Sequence, residues 1–195
     1  ERARPVATRD LALVGANEFP ELGEAPVAVL EVARVNLPAM PAAITVEPLA
    51  QMRLAEPYEA LRDASDRMLA ATGARPRVFL ANLGPAADFS ERANFARNFF
   101  AAGGGEAGTN DGFARREEMV EAFMASGARL ACLCGSDAVY AREAVDTAKA
   151  LKAAGARRLF LAGEPREAEY WQAGIETFIH AGCDALAILR SIMSR

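Results

Sequence analysis

The chain has 195 residues, 52% of them hydrophobic, and a formal net charge of -4, which suits one soluble domain of ordinary size with an additional segment. Asp and Glu outnumber Lys and Arg by 26 to 22, and no basic stripe is interleaved with aromatic residues, so nucleic acid is excluded as a partner. No stretch approaches the roughly 18 apolar residues of a membrane span, and the N-terminus lacks a secretory apolar core. We therefore expect a cytoplasmic protein that does not bind membranes.

Three cysteines, Cys132, Cys134 and Cys183, occur in apolar surroundings. This odd number predicts free thiols in a reducing compartment rather than a disulfide framework. The spacing of Cys132 and Cys134 places both side chains on one face of a strand, but no second Cys or His pair has metal-ligand spacing. We therefore expect buried structural cysteines and no metal site.

The first third of the chain consists of two segments and a helix. Residues 11–15, Leu-Ala-Leu-Val-Gly, form a short apolar run that predicts one strand with no partner nearby. Residues 24–55 carry prolines among small apolar residues, which predicts an extended linker. Its apolar stretch 27–37 is our candidate for a contact with another domain. A helix with proline in its first turn is then predicted over residues 56–73.

The rest of the chain repeats one unit. The tripeptide Gly-Ala-Arg begins at Gly73, Gly127 and Gly155, each time between a helical pattern and an apolar run. Glycine just past a helix end adopts a left-handed cap conformation, and each apolar run ends at another glycine. The unit is therefore helix, cap, buried strand and loop, with strands predicted at residues 78–84, 130–135 and 159–163.

Two further strands complete a predicted sheet, a weak second strand at 106–110 and a fifth at 176–182. The helices between the strands have apolar faces at 3.6-residue spacing, and Asp184 is the expected N-cap of the last helix. These faces are Phe95, Phe99 and Ala102; Met119, Val120, Phe123 and Met124; Tyr140, Val145, Ala148 and Leu151; and Leu186, Leu189, Ile192 and Met193. The pattern predicts an α/β fold, a flavodoxin-like (Rossmann-type) doubly wound sheet of five parallel strands.

Ligands of such sheets bind at the carboxyl ends of the strands, and the acidic residues there favour no specific chemistry. Asp88, Asp137 and Glu164 follow the first, third and fourth strands and suggest the phospho-acceptor pocket of response-regulator receivers. Against this, the first strand offers Asn82 where an acidic residue is needed, and no lysine follows late in the domain. The single histidine, His180, is predicted to be a core or pocket-lining residue rather than a ligand.

The glycine-rich segments also have ordinary explanations. Residues 103–105, Gly-Gly-Gly, follow a helix rather than a strand and lack the Lys-Ser/Thr of a Walker loop, so we interpret them as a helix cap and turn. Small residues end strands three, four and five, at Gly135 and Ser136, at Gly163 and at Gly182. They could let a flat ligand approach the backbone closely, or they could serve tight turns, and the sequence leaves both interpretations open.

Four blocks of sequence together resemble the C-terminal part of the small (beta) subunit of methylmalonyl-CoA mutase. These blocks are residues 75–85, 93–104, 148–156 and 181–186. Upstream, residues 14–20 resemble the end of that family's (β/α)8 barrel, and residues 53–62 resemble its linker into the cobalamin-binding-type domain. The resemblance divides the chain into a barrel remnant (1–23), an extended linker (24–55) and a cobalamin-binding-type α/β domain that begins with a linker helix (56–195).

This resemblance implies rearrangement of methylmalonyl-CoA and succinyl-CoA by adenosylcobalamin chemistry, in a heterodimer with a large catalytic subunit. In the catalytic subunit an Asp-x-His-x-x-Gly motif supplies the cobalt-binding histidine. Residues 86–93 here contain no histidine, and Asp88, Phe89 or Ser90 occupies its position, depending on the alignment.

The expected cofactor-binding residues are therefore Asp88, Phe89, Ser90, Gly135, Ser136, Gly163 and Gly182, in a degenerate pocket. We expect no catalytic residue, no metal ligand and no cobalamin bound to this chain, and a structural role in assembly. Two alternatives stay open: a domain that binds cobalamin without histidine ligation, and a flavodoxin-like module for another small ligand.

Overall fold

The computed structural model describes residues 3–24, 53–164 and 168–193. Its helices are α1 (Ala3–Ala7), α2 (Glu56–Thr72), α3 (Ala86–Ala102), α4 (Arg116–Ser126), α5 (Asp137–Ala153), α6 (Ala168–Gln172) and α7 (Ala185–Met193). Its strands are β1 (Arg77–Asn82), β2 (Glu106–Ala107), β3 (Leu130–Cys134), β4 (Arg158–Ala162) and β5 (Ile175–Ile179). No helix of the described part is long and apolar enough to cross a membrane.

The five strands form one parallel sheet in the order β2-β1-β3-β4-β5. This is the flavodoxin-like order, and it confirms the fold class predicted from the sequence. The order changes direction at β1, so the loops after β1 and β3 diverge at the carboxyl edge of the sheet. That edge is where this fold binds ligands.

Alternate residues of each strand pack into two opposite helical layers. Helices α4, α5 and α6 cover one face of the sheet and pack on side chains such as Leu133 and Leu161. Helices α2, α3 and α7 cover the other face and pack on side chains such as Leu80, Cys132 and Phe160. Both faces of the central strands are buried, which explains their nearly continuous apolar sequences.

The predicted helix ends are confirmed. Gly73 and Gly127 have φ angles of 77° and 66° after α2 and α4, and Gly155 has a φ of 99° two residues beyond α5. The backbone N–H of Gly73 donates to the Leu69 carbonyl at 2.8 Å. The side chain of Asp184 accepts from the Ala187 N–H at 2.9 Å and caps α7 as expected.

Several details differ from the sequence-based predictions, among them β2, which covers Glu106–Ala107 instead of residues 106–110. The fifth strand covers Ile175–Ile179, so His180 follows the strand instead of lying inside it. The five residues of α6 form a helix that the sequence analysis did not predict, since a single turn gives no periodic signal. Met124 is 56% exposed, because only Met119 and Phe123, four residues apart, share the buried face of α4.

The strand predicted at residues 11–15 is not present. A buried asparagine, Asn17, holds these residues in a turn by donating to the Leu11 carbonyl at 3.0 Å and accepting from the Leu13 N–H at 2.7 Å. An asparagine side chain that bonds to nearby backbone competes with strand formation.

The turn is held against the domain by α2. Tyr58 donates its hydroxyl to the Val6 carbonyl at 3.1 Å, and Arg62 donates to the Ala16 carbonyl at 2.6 Å. The origin of this segment as a barrel remnant stays a prediction, as do the predicted domain boundaries. Most of the predicted linker, including residues 27–37, lies outside the described residues.

Candidate functional site at the carboxyl edge

An arginine from α3 crosses the carboxyl edge of the sheet. Arg92 lies two turns into α3 and donates from Nη1 to the Gly135 carbonyl at 2.7 Å and from Nη2 to Asp137 Oδ1 at 2.5 Å. Burial would lower the pKa of Arg92, but the hydrogen bonds to Asp137 and Tyr140 hold it above its usual value. Arg92 is therefore a fixed cation that ties α3 to the loop after β3.

The aromatic ring beneath this guanidinium belongs to Tyr140, in the first turn of α5. The guanidinium carbon of Arg92 lies 5.0 Å from the ring centroid, a cation–π arrangement. The Tyr140 hydroxyl accepts from the Gly135 N–H at 3.0 Å and lies 3.0 Å from the Leu133 carbonyl and 2.9 Å from the Ala162 carbonyl. Burial raises the pKa of Tyr140, so the phenol stays neutral. One side chain thus joins the ends of β3 and β4.

Arg92 and Tyr140 cover the small residues that were predicted to line a ligand. A Cβ placed on Gly163 would meet the Arg92 guanidinium carbon at 3.5 Å, and a Cβ on Gly135 would meet the Tyr140 ring at 3.3 Å. The predicted close approach to the backbone at these glycines is therefore made by the protein's own side chains. The edge above β3 and β4 is packed with protein atoms.

Other predicted site residues have local structural roles. Ser136 is the N-cap of α5 and accepts from the Val139 N–H at 3.4 Å. Ser90 donates to the Ala86 carbonyl one turn earlier in α3, at 2.6 Å. Phe89 is buried in the core that α3 forms with the sheet. Asp137 is ion-paired with Arg92, and within the described residues no cluster of three or more acidic, His or Cys side chains could hold a metal ion, as a phospho-acceptor pocket would.

A small cavity of about 210 Å³ lies beside the end of β1, lined by Asn82, Phe89, Ser90, Arg97, Asn110 and others. Asn110 donates to the Leu80 carbonyl at 2.9 Å, so its Oδ1 is an acceptor and takes the Asn82 side-chain N–H at 3.0 Å. This arrangement leaves Asn82 Oδ1 as a buried acceptor without a hydrogen-bond partner. This oxygen has almost no accessible surface, so a donor in the cavity would reach it only after the lining side chains move.

Gly182 is exposed and lines a separate cavity of about 110 Å³ with His180, Arg9 and Cys183. His180 Nδ1 lies 2.9 Å from the Ala181 carbonyl. Arg9 forms an ion pair with Glu18 at 2.6 Å, and its side chain is only 8% exposed. The structure therefore divides the seven predicted cofactor-binding residues among three places and does not gather them into one pocket.

Two of the three cysteines are buried, as the sequence predicts, and Cys183 is partly exposed. Cys132 and Cys134 are buried on one face of β3, and all three cysteines are free. Burial raises the pKa of Cys132 well above its usual value, which keeps this thiol protonated and unreactive. Within the described residues, no group of three or more His, Cys, Asp and Glu side chains could hold a metal ion.

The stacking of Arg92 on Tyr140 could not be recognised from the sequence. Arg92 lies on the polar side of α3, and its partner Asp137 is 45 residues away. Tyr140 was assigned to an apolar helix face, where its ring does pack, but its hydroxyl was not considered. No short motif links these residues, so only the fold brings them together.

The fold and this edge define a class of protein: a flavodoxin-like α/β domain whose ligand-binding edge is largely occupied by its own side chains. No protein-family model matches the chain. A solved CheY-like protein from Pseudomonas aeruginosa PAO1 is similar with a TM-score of 0.48 and 16% identity, covering 61% of this chain and 94% of that one.

The chain is similar along its whole length to part of a larger protein. It is 46% identical over 195 residues to the methylmalonyl-CoA mutase small subunit of Streptomyces virginiae and covers 29% of that protein. It is 38% identical over 197 residues to the probable methylmalonyl-CoA mutase small subunit of Mycobacterium bovis, again 29% of its length. It is 37% identical over 167 residues to that of Propionibacterium freudenreichii subsp. shermanii, covering 86% of this chain and 24% of the relative.

The resemblance found in the sequence is thus confirmed: the chain is homologous to the C-terminal part of methylmalonyl-CoA mutase small subunits. It spans less than a third of the length of these relatives.

Proposed function

We propose that this chain is the C-terminal α/β region of the small subunit of a heterodimeric, cytoplasmic methylmalonyl-CoA mutase, and that it supports assembly of the enzyme without holding cobalamin. The complex would be an isomerase of methylmalonyl-CoA and succinyl-CoA, with adenosylcobalamin on the large catalytic subunit. Homology to proteins named small subunit supports a partner in a complex. Buried free thiols fit a reducing compartment.

The observation that carries this proposal is the packing of Arg92 over Gly135, Gly163 and Tyr140. A cofactor lying along the carboxyl edge would have to displace a guanidinium that is hydrogen-bonded, ion-paired and stacked on a ring. Moving Arg92 away would break its bonds to the Gly135 carbonyl and to Asp137 and would remove the guanidinium from the Tyr140 ring, which is costly.

The residues at the position of the cobalt-binding histidine are also unsuited to cobalamin. Asp88, Phe89 and Ser90 supply no imidazole, and Phe89 is committed to the core. His180 follows β5, at the far edge of the sheet from β1 and its loop. The residues present therefore do not fit histidine-ligated cobalamin, and we assign this chain no step of the radical chemistry.

Assembly is tested by mixing the purified chain with the large subunit of methylmalonyl-CoA mutase from the same organism. We expect the two to co-elute on gel filtration, with a higher melting temperature for the mixture than for the separate components. Arg92→Gln serves as a companion variant, because loosening the carboxyl edge should lower the melting temperature while pairing continues. Separate elution at concentrations well above those used for the enzyme would contradict the assembly role.

The cavity at β1 favours a second candidate, a site for another small ligand. Asn82 lines this cavity and its Oδ1 is buried without a hydrogen-bond partner, so a compact molecule with an N–H or O–H donor would bind if a small shift of the lining uncovered that oxygen. The volume of about 210 Å³ is below the roughly 300–1,000 Å³ of typical small-molecule sites. Asn82→Leu separates the two candidates, because it would abolish binding of such a ligand and leave assembly with the large subunit intact.

A further inference from the structure

The amino edge of the sheet, opposite the candidate site, carries a row of arginines. Val78 pairs with Leu130, and Leu130 pairs with Arg158, across β1, β3 and β4. The residues one step earlier are Arg77, Arg129 and Arg157, and the Arg157 N–H donates to the Arg129 carbonyl at 2.8 Å. Three arginines thus stand at the same level on adjacent strands, which are about 4.8 Å apart.

These arginines have few acidic partners. Arg77 reaches Glu106 only at 3.7 Å and is half exposed. Arg129 and Arg157 are exposed, and among the described residues neither side chain forms an ion pair or a hydrogen bond. Like charges on neighbouring strands repel and destabilise a sheet. Arg129 and Arg157 therefore gain from a negative charge, because no ion pair among the described residues supplies one to either.

The row lies on a groove of about 290 Å³ with an apolar floor. Met68, Pro76, Leu130 and Ile192 contribute apolar surface, and Arg75 and Arg158 complete the walls. Arg75 is held by Asp66 at 2.6 Å, and Arg158 by Ser191 Oγ at 2.9 Å. These two bonded arginines shape the groove, while the guanidinium N–H groups of Arg129 and Arg157 are available to a ligand.

We propose that this groove binds a small phosphorylated molecule, with Arg129 and Arg157 contacting phosphate oxygens and the apolar floor accepting the organic part. The guanidinium group presents a planar fork of donors that matches phosphate in bidentate contacts. Helices α2, α4 and α5 end at this edge, and their carboxyl ends carry only about half a negative charge each. The groove therefore stays positive in a chain whose net charge is -4.

The test is titration calorimetry of the whole chain with pyrophosphate at fixed ionic strength. The groove variant is Arg129→Gln with Arg157→Gln. The control is Arg115→Gln with Arg142→Gln, two exposed arginines outside the groove whose removal changes the net charge equally. We expect saturable binding by the wild type and the control, and an affinity at least about tenfold weaker in the groove variant, since charge-assisted hydrogen bonds are lost.

The melting temperature of each variant without ligand shows whether it is folded. Absence of saturable pyrophosphate binding to the wild type would overturn the proposal, as would equal weakening in the groove and control variants. If the groove variant has a lower melting temperature but binds pyrophosphate with the affinity of the wild type, the two arginines stabilise the fold and do not bind phosphate, which also overturns the proposal. Binding of a glutamate-rich peptide in place of pyrophosphate would assign the groove to an acidic protein partner instead.

Discussion

The guanidinium of Arg92 lies over the ring of Tyr140, 5.0 Å from its centroid, and both side chains bond to Gly135. Arg92 binds the carbonyl of this glycine, and Tyr140 accepts its N–H. A single residue after β3 therefore has both of its backbone groups satisfied by side chains from the two helices that flank the carboxyl edge. Arg92 and Tyr140 together cover the carboxyl ends of β3 and β4 with internal bonds.

Replacing Tyr140 with phenylalanine tests the contribution of the hydroxyl. The ring would stay, but the buried Gly135 N–H would lose its acceptor, and the Leu133 and Ala162 carbonyls would lose the single hydroxyl proton that they share. An unsatisfied buried group costs about 1–3 kcal/mol, so urea unfolding should show a loss of stability of that order. The Gly135 amide should also exchange with solvent faster. A loss of less than about 0.5 kcal/mol, with unchanged exchange, would contradict the assigned role of the hydroxyl.

Stability should fall at alkaline pH because two tyrosines are harder to ionise when folded. Burial raises the pKa of Tyr58 from 10.0 to about 12 and raises that of Tyr140 further. As the pH rises, the unfolded chain loses these protons at a lower pH than the folded chain does. The contribution of the two tyrosines to the free energy of unfolding is therefore fully present below pH 10 and decreases as the pH rises from 10 to about 12. Chemical unfolding at several pH values measures this slope, and Tyr58→Phe should make it shallower. An identical slope in that variant would count against a buried, neutral Tyr58.

The turn around Asn17 should depend on its side chain. Asn17→Ala removes the acceptor for the Leu13 N–H and the donor to the Leu11 carbonyl at a fully buried position. We expect a destabilisation of about 1–3 kcal/mol and faster proteolysis at the arginines of residues 3–24. Asn94→Ala is the control, because Asn94 is exposed on α3 and its side chain bonds, among the residues that the structure describes, only to Arg97. Equal effects of the two substitutions would show that Asn17 has no special part in the turn.

The turn after α3 requires glycine at position 104. Gly104 has a φ of 81°, and a Cβ there would lie 2.5 Å from the Cβ of Ser65. Gly104→Ala should therefore cost at least about 2 kcal/mol, from backbone strain and from overpacking against α2. Gly108→Ala is the matched control, since nothing lies within 4 Å of its added Cβ. Its stability should change by less than about 0.5 kcal/mol, and a similar loss at both positions would contradict the packing argument.

The sheet could be predicted from sequence because each central strand is a continuous apolar run bounded by glycines, a local signal. The second strand was predicted only weakly because just Glu106 and Ala107 pair with β1. The strand predicted at residues 11–15 was wrong for a physical reason. An apolar run favours a strand, but here the Asn17 side chain forms hydrogen bonds with the backbone groups that a strand would need. Helix α6 was missed because five residues are too few to show a period.

The site could be predicted only by position, at the ends of strands three and four. The small residues Gly135 and Gly163 were recognised, but what covers them comes from α3 and α5, far away in sequence. A polar residue on a helix surface, such as Arg92, gives no sign of the tyrosine on which it will stack. The absence of histidine from residues 86–93 could be seen directly in the sequence, whereas the packing of Arg92 and Tyr140 over the edge could be seen only in the fold.

The most direct test of the account is an equilibrium titration of the purified chain with cobalamin, followed by the visible spectrum and by retention of the cofactor on gel filtration. We predict no binding at concentrations far above those that saturate a catalytic subunit, because Arg92 and Tyr140 occupy the carboxyl edge. The variant Arg92→Ala should be titrated beside the wild type, to show whether the guanidinium is the obstacle. Saturable binding to the wild type with a base-off spectrum would contradict the account and make this domain a cofactor holder.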